Sequence, residues 1–258
     1  SGTGYNGIIN ASALTNTKTG VIQSEIDLAL NVTDTLDNAG KLLASDDLLV
    51  NAATSALAIS NTNPGVIQAG NALTISGANG TFNTQSGTVL GNTTGITVSS
   101  LNNSGTLQSN ASMNLAIAEG LTNSGTLLAK TSLSSDSASV TNSGTLQAND
   151  GSTIKATGAL DNSGLLLLSD SDAKAGTLNV GTLSNTGAGI IQSAQDLVIN
   201  VSGDTLTNAK TIIAERDLTL TSIGDGMTLT NENGGFIQSG TTSGDTLTIG
   251  GTAVALNN

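Results

Sequence analysis

The sequence predicts an all-β solenoid, in which short parallel strands stack coil upon coil. One phrase, Leu-x-Asn-Ser-Gly-Thr-Leu-Gln, recurs with small changes every 19 or 20 residues, at residues 101–109, 121–129, 140–148 and 160–168. Apolar residues within each copy alternate with polar ones, as they do in strands with one buried face. A period this short is typical of units that cannot bury a face alone and must stack on their neighbours.

The composition suits an interior that is only one side chain wide. The 258 residues include two Phe, one Tyr and no Trp, so the large side chains of an ordinary globular core are scarce. A mean hydropathy of +0.10 nevertheless separates the chain from a disordered polar linker. We therefore expect aliphatic residues, Thr, Ser, Asn and Gly to fill the coils.

Charge and residue types exclude several classes of function. With 7 Lys and Arg against 19 Asp and Glu, the net charge is −12, so nucleic acid is not an expected partner. Cys and His are absent, which removes thiol chemistry, zinc ligation and imidazole catalysis. No apolar run approaches the length of a membrane span, and residues 1–5 form neither a signal peptide nor a start. We expect no membrane insertion, and we expect the chain to be a piece of a longer polypeptide.

An Asn near the end of each repeat marks about 11–12 coils, spaced by 19 to 23 residues. No linker interrupts them, which predicts a single domain over residues 1–258, with a further coil starting at Leu256. An inward Asn can bond the backbone at a turn and stack on its copies, and the Gly two residues later would supply a positive φ. The predicted structural ladder consists of Asn16, Asn38, Asn61, Asn83, Asn103, Asn123, Asn142, Asn162, Asn185, Asn208 and Asn231.

Each coil is predicted to contain three short strands. They span residues 21–24, 26–30 and 35–38 in an early coil, and residues 190–193, 197–201 and 205–208 in a late one. Period-2 patterning points Ile26 and Leu28 inward and Gln23 and Asp27 outward. The longer repeats add residues between the second and third strands, so insertions should collect at one corner.

The outward residue in the middle of the first strand alternates between Gln and an aliphatic residue from coil to coil. Its aliphatic members, a predicted exposed contact stripe, are Leu43, Leu90, Leu128, Leu167 and Ile213. Two interpretations remain open. The coils arose by duplication of a two-coil unit, or the stripe packs against another segment or molecule, because exposed apolar stripes mark contacts.

The phrase Leu-x-Asn-Ser-Gly-Thr-Leu-Gln-Ala, followed by a Leu-x-Ile strand, resembles the repeats of filamentous haemagglutinin-like exoproteins. These are secreted by the two-partner route in Gram-negative bacteria and include adhesins and contact-dependent growth inhibition effectors. The resemblance covers nearly the whole chain. It implies a right-handed parallel β-helix at the bacterial cell surface or secreted, and an outer-membrane secretion partner for the parent protein. Neither that family's amino-terminal secretion domain nor a toxin module is visible.

Candidate catalytic and metal sites are weak. Arg216 and Asp217 occupy an ordinary strand-opening turn, and the pairs Asp34/Asp37 and Asp170/Asp172 offer too few oxygen ligands for Ca²⁺. We therefore predict no catalytic residue, no metal site, no cofactor and no enzymatic activity, since a β-helix carbohydrate enzyme would need converging carboxylates and aromatic sugar platforms.

The leading functional prediction is a shaft segment that holds a distal adhesive or toxic module. The alternative is a segment that binds a receptor or glycan through its outer face or corner loops. Candidate partners are a host-cell, bacterial-cell or glycan receptor, and a second copy through lateral self-association.

Overall fold

The computed structural model describes residues 6–52, 56–171 and 174–258. Asp172 and residues 1–5, discussed above, lie outside this part. The described residues form strands, turns and bends with no helix, and all pairs of named strands are parallel. The fold is a β-solenoid, as the repeat predicts. The chain divides into two compact units, Ser1–Ala129 and Lys130–Asn258, which are described separately.

The first unit contains thirteen strands in its described part. They are β1 (Gly7–Asn16), β2 (Val21–Ser24), β3 (Leu28–Asn38), β4 (Lys41–Ala44), β5 (Leu48–Asn51), β6 (Ala58–Asn61), β7 (Val66–Ala69), β8 (Ala72–Asn83), β9 (Thr88–Gly91), β10 (Thr93–Asn103), β11 (Thr106–Ser109), β12 (Met113–Asn123) and β13 (Thr126–Ala129).

The second unit contains fourteen strands in its described part. They are β14 (Leu133–Asn142), β15 (Thr145–Ala148), β16 (Ser152–Asn162), β17 (Leu165–Ser169), β18 (Gly176–Asn185), β19 (Ile190–Ser193), β20 (Leu197–Val201), β21 (Thr205–Asn208), β22 (Thr211–Ala214), β23 (Leu218–Ser222), β24 (Met227–Asn231), β25 (Phe236–Ser239), β26 (Leu247–Gly251) and β27 (Val254–Asn257).

Each coil contributes one short strand to a narrow sheet and its remaining strand or strands to a broad sheet. The narrow sheet runs β2-β4-β7-β9-β11-β13 in the first unit and β15-β17-β19-β22-β25 in the second. Partners in the narrow sheet pair residue for residue, as Thr106 to Ser109 do with Thr126 to Ala129. Successive copies of the repeat therefore lie in register.

The second and third predicted strands are separate in some coils and continuous in others. In the late coil, β19, β20 and β21 have the predicted bounds. In a 20-residue coil the two segments join into β12, and the pairing of β10 with β12 shifts register after Val98, as it does at a β-bulge. A longer link, such as Ser202 to Asp204, lets the second strand end before the third begins.

Aliphatic side chains from most of the described strands meet in the interior of each unit. The inward column of the narrow sheet includes Leu42, Ile67, Val89, Leu107 and Leu127, each 0% exposed. Full burial of such a side chain contributes about 1.5–3 kcal/mol before entropy is counted. A core of this kind is assembled by stacking similar residues, which explains why it needs so few aromatic residues.

One predicted inward residue is wrong. Ile26 is 49% exposed, because it lies in the turn before β3, which begins at Leu28 and not at residue 26. The neighbouring Asp27 joins this turn to the next coil, since its Oδ1 accepts the backbone N–H of Asp47 at 3.1 Å. The alternation of apolar residues therefore begins two residues before the strand does.

Candidate functional site

The most regular constellation of polar side chains in the first unit is a buried column of Asn amides. Asn16 Nδ2 donates to Asn38 Oδ1 at 2.8 Å, and Asn38 Nδ2 donates to Asn61 Oδ1 at 2.7 Å. Asn38 Nδ2 also donates to the carbonyl oxygen of Val66, at 3.1 Å. Each Asn lies at or near the end of a broad-sheet strand, where period-2 alternation turns its side chain inward. The amide therefore joins two coils and the start of a third.

Asn83 does not belong to this column, and its predicted role there is wrong. Phe82 is buried, so the next residue points outward, and Asn83 Oδ1 accepts from exposed Asn102 at 2.8 Å. Thr84 occupies the inward position, and its Oγ1 donates to Asn103 Oδ1 at 2.8 Å. It also accepts the backbone N–H groups of the next turn. In the repeated phrase the inward Asn stands two residues after the inward apolar residue, and that rule identifies Thr84.

The column of the second unit is longer than predicted. Asn142 Nδ2 donates to Asn162 Oδ1, Asn162 to Asn185 and Asn185 to Asn208, each at 2.8 Å. The series continues through Asn208 to Asn231 at 2.9 Å and ends with Asn231 Nδ2 donating to Asn258 at 3.0 Å. Sequence reasoning missed Asn258, although Leu256-Asn257-Asn258 has the spacing of the phrase.

The regular recurrence of Gly beside the column has a steric cause and does not reflect the predicted positive φ. Neither Gly105 nor Gly164 has a positive φ. A Cβ added to Gly105 would clash with the carbonyl oxygen of Gly87, and one added to Gly164 would clash with that of Gly144. At these two positions neighbouring coils therefore approach each other too closely for a side chain, although Lys210 occupies the equivalent position in a later coil.

The chemistry of the column is structural. Its amides are neutral, its donors bond to Asn oxygens and backbone carbonyls, and most of its members are buried, as Asn123 and Asn185 are at 0% exposure. A buried amide that loses its partners costs roughly 1–3 kcal/mol. The arrangement thus fixes the turns of adjacent coils against each other and offers neither a nucleophile nor a proton donor with a shifted pKa.

The aliphatic stripe lies where the register predicts, but its members are half-buried and not exposed. In the first unit Leu43 pairs with Gln23 and Gln68 on either side, and in the second Leu167 pairs with Gln147 and Gln192. Leu90, Leu128 and Ile213 are half-buried in the same way. The sequence pattern gives the outward direction of these side chains and not their partial burial.

The charged residues singled out from the sequence lie at solvated corners. Arg216 approaches Asp196, with Nε and Oδ1 3.7 Å apart, and its Nη1 donates to Gln195 Oε1 at 3.2 Å. Asp217 Oδ1 accepts the backbone N–H of Thr246 at 2.7 Å and its hydroxyl at 2.9 Å. This carboxylate therefore caps a neighbouring coil.

The described carboxylates at these corners do not form a metal site. Within residues 6–52, 56–171 and 174–258, no group of three or more His, Cys, Asp or Glu side chains could hold a metal ion. Asp170 is described and exposed, whereas Asp172 falls outside these ranges.

One carboxylate at a corner has a shifted pKa. Hydrogen bonds from the backbone N–H and hydroxyl of Thr242 lower the pKa of Asp245 below its usual 3.8. Thr242 donates to Asp245 Oδ2 at 2.9 Å through its N–H and at 2.8 Å through its hydroxyl, and the N–H of Thr241 adds a third bond at 3.1 Å. The same hydrogen bonds connect the residues of the turn before β26.

Comparison with known proteins identifies the repeat. The model of the haemagglutinin repeat family matches residues 3–63, 51–101, 89–164, 131–179 and 170–258, which together span almost the entire chain. No curated protein and no solved structure gave a significant match. Over its described residues, the chain has no helix with the length and apolar character that crossing a membrane requires.

Proposed function

Since the chain belongs to the haemagglutinin repeat family, we propose that it is a shaft segment of a large bacterial exoprotein, secreted or displayed at the cell surface. In this role it carries a distal adhesive or toxic module, and the parent protein uses an outer-membrane secretion partner. The observation that supports the proposal is that, among the described strands of each unit, each coil pairs in parallel with the next.

Mechanical continuity follows from how adjacent coils are joined. Between β10 and β12, nine residue pairs align from Thr94 and Met113 to Asn103 and Asn123. The short strands β11 and β13 add four more pairs. Each pair belongs to a parallel ladder whose hydrogen bonds run along the stacking direction. A load applied along that direction is therefore shared by many bonds in every coil.

The side chains at the corners support the same role. Asp47 Oδ1 accepts the Asn71 amide at 2.8 Å and the backbone N–H of Ala72 at 2.9 Å. Asp217 does the same for Thr246 in the second unit. These two carboxylates therefore bind the backbone of the next coil instead of forming a catalytic or metal site. Their hydrogen bonds add to the interactions between adjacent coils.

Binding by the purified chain distinguishes a shaft from the alternative, a receptor- or glycan-binding segment. We expect no saturable binding to bacterial cells, host cells or a glycan array, measured with fluorescently labelled chain. Heat-unfolded chain serves as the control for adhesion through exposed apolar surface. Saturable binding by the folded chain alone would overturn the shaft proposal and favour the alternative.

Removal of one whole coil tests the mechanical part of the proposal. Deleting residues 186–208 joins Asn185 to Ala209 and removes one period of 23 residues, the separation of Asn185 and Asn208 in the column. We expect this variant to keep its β-sheet circular dichroism and cooperative unfolding. The matched control deletes residues 186–197, about half a coil, and should lose both. A shaft whose coils are interchangeable requires this contrast, and equal damage by the two deletions would contradict it.

A further inference from the structure

We propose that the outer face of the narrow sheet in the second unit is a self-association surface, and that its partner is the same face of a second copy of this chain. The face, called here the neutral face, is formed by β15, β17, β19, β22 and β25. Its apolar side chains are Leu165, Leu167, Ile190, Ile213 and Phe236. Ile190 is 38% exposed and Phe236 is 49% exposed.

The strand register places these side chains in two adjacent columns. Leu165 pairs with Ile190, and the same column continues through Thr211 to Phe236. Leu167 and Ile213 lie in the second column, separated by Gln192. With strands about 4.8 Å apart, the two aliphatic residues of this column are about 9.6 Å apart. The result is a surface on which apolar side chains lie in two neighbouring columns.

Two of the three Gln side chains of this face, Gln147 and Gln238, bond toward their own corner. Gln147 Nε2 donates to Asn149 Oδ1 at 2.9 Å, and Gln238 Nε2 donates to the carbonyl oxygen of Gly240 at 3.2 Å. A Gln held in this way leaves part of the neighbouring aliphatic side chain uncovered. The apolar columns therefore remain accessible between the Gln side chains.

Charge identifies the partner. Residues 130–258 contain 12 Asp and Glu and 5 Lys and Arg, a net charge of −7, yet the five strands of the neutral face contain no charged residue. A basic protein or an acidic glycan would find no complementary charge there. A second copy carries the same negative charge, so it can approach only over a surface from which carboxylates are absent.

The spacing on the face supports the same partner. Leu167 and Ile213 lie two strands apart, at about 9.6 Å. A second copy presents the same two side chains at the same spacing.

The acidic corner sets the orientation of the two copies. The turns that follow β15, β17, β19 and β22 contain Asp150, Asp170, Asp196 and Asp217 respectively. Arg216 offsets one of these charges, and one long edge of the face remains negative. A two-fold axis parallel to the stacking direction places the negative edges of the two copies on opposite sides of the interface. The other in-plane axis would bring them together, and like-charge repulsion opposes it.

The size of the face predicts a weak complex. Five strands of four residues cover about 20 Å by 13 Å, on the order of 300 Å² per copy, whereas stable dimers bury about 800 Å² per partner. We therefore expect a dissociation constant of roughly 10⁻⁴ M. Added salt should strengthen the association, because it screens repulsion between the acidic copies.

Sedimentation velocity of the full 258-residue chain from about 10 µM to 1 mM, in 0.05 M and 0.5 M NaCl, tests the proposal. We expect a concentration-dependent dimer that is favoured at the higher salt concentration. The double variant Ile190→Gln/Phe236→Gln should raise the dissociation constant at least about tenfold. The control Ile223→Gln removes a side chain that is 57% exposed at a corner and should leave the dissociation constant unchanged.

A second variant keeps the test valid if the double variant folds poorly. Gln192→Glu places one carboxylate on the neutral face with almost no change in volume, and we expect it to weaken the dimer at least about tenfold. Its control, Thr153→Glu, adds the same charge to the exposed outer surface of β16. A chain that stays monomeric at 1 mM, a dimer weakened by added salt, or equal effects of the two charge substitutions would each overturn the proposal.

Discussion

The adjacent residues Asn102 and Asn103 allow a matched test of the buried column. Asn103 is 1% exposed, donates to Asn123 Oδ1 at 2.7 Å and to the Thr126 carbonyl at 2.9 Å, and accepts from Thr84 at 2.8 Å. Asn103→Ala removes all three hydrogen bonds and leaves a small cavity. At about 1 kcal/mol net for each bond, the loss is about 3 kcal/mol. Asn102→Ala removes one exposed bond to Asn83 and should cost no more than about 0.5 kcal/mol.

Hydrogen exchange is the suitable assay, because stability in a stacked repeat is set by neighbouring coils and need not be lost globally. For Asn103→Ala we expect the protection of backbone amides in β11 and β13 to fall roughly a hundredfold, which corresponds to about 3 kcal/mol. Asn102→Ala should change it by less than about threefold. Equal losses in the two variants would show that the buried column does not hold the coils together, and the reasoning for the whole column would fail.

Three further perturbations follow from individual contacts. Thr94→Val should raise the free energy of unfolding by about 1 kcal/mol, measured by urea denaturation, since the Thr94 hydroxyl is buried without a hydrogen-bond partner and Val has the same shape. Gly164→Ala should lower the melting temperature sharply because its Cβ would clash with the neighbouring coil, whereas Gly95→Ala, with nothing within 4 Å of its Cβ, should not. The turn at Asp245, whose pKa is lowered, should be most ordered above pH 3.8 and should lose that order as the pH falls through the lowered pKa. Hydrogen exchange of the Thr242 amide measures the order of the turn. Asp245→Asn should remove its dependence on pH.

Two properties of the sequence predict the fold, and both are kept although the residues differ from coil to coil. The period locates each coil, and the alternation of apolar residues locates each inward face. Both persist because an inward polar residue would lie next to buried aliphatic residues such as Leu107 and Leu127. The strand bounds of the coil containing β19, β20 and β21 were therefore predicted correctly.

The errors share a cause. Residue type alone does not determine whether a side chain points inward, because that depends on the position of the residue in the period-2 alternation of its strand. Residue type favours Asn83 as a member of the column. Because Phe82 is buried, however, Asn83 points outward and Thr84 takes the inward position. The aliphatic side chain of Ile26 predicts an inward position, but β3 begins only at Leu28 and Ile26 lies in the exposed turn before it. Hydrogen bonds between coils are not visible in one coil's sequence, so these positions required coordinates.

The exposure of the stripe could not be predicted for a similar reason. Leu43 and Leu167 are outward in phase, but how far they are covered depends on Gln side chains from the coils on both sides. Conformation of those Gln residues depends in turn on partners at the corner, as for Gln147 and Asn149. Sequence pattern gives the direction of a side chain, and packing between coils gives its accessible area.

The break at Thr84 also shows how the column works. Asn61 has no Asn partner on that side, yet its Nδ2 donates to the Thr88 carbonyl at 3.0 Å and to the Gly65 carbonyl at 3.3 Å. Thr84 meanwhile accepts the N–H groups of Ser104 and Gly105. Polar groups on both sides of the break therefore have partners within one coil of their own position. The column therefore consists of hydrogen bonds between adjacent coils, and a substitution of the inward polar residue in one coil need not disturb distant coils. Outer faces are free of even that constraint, and this is why a charge-free surface can develop on one sheet while the core keeps its repeat.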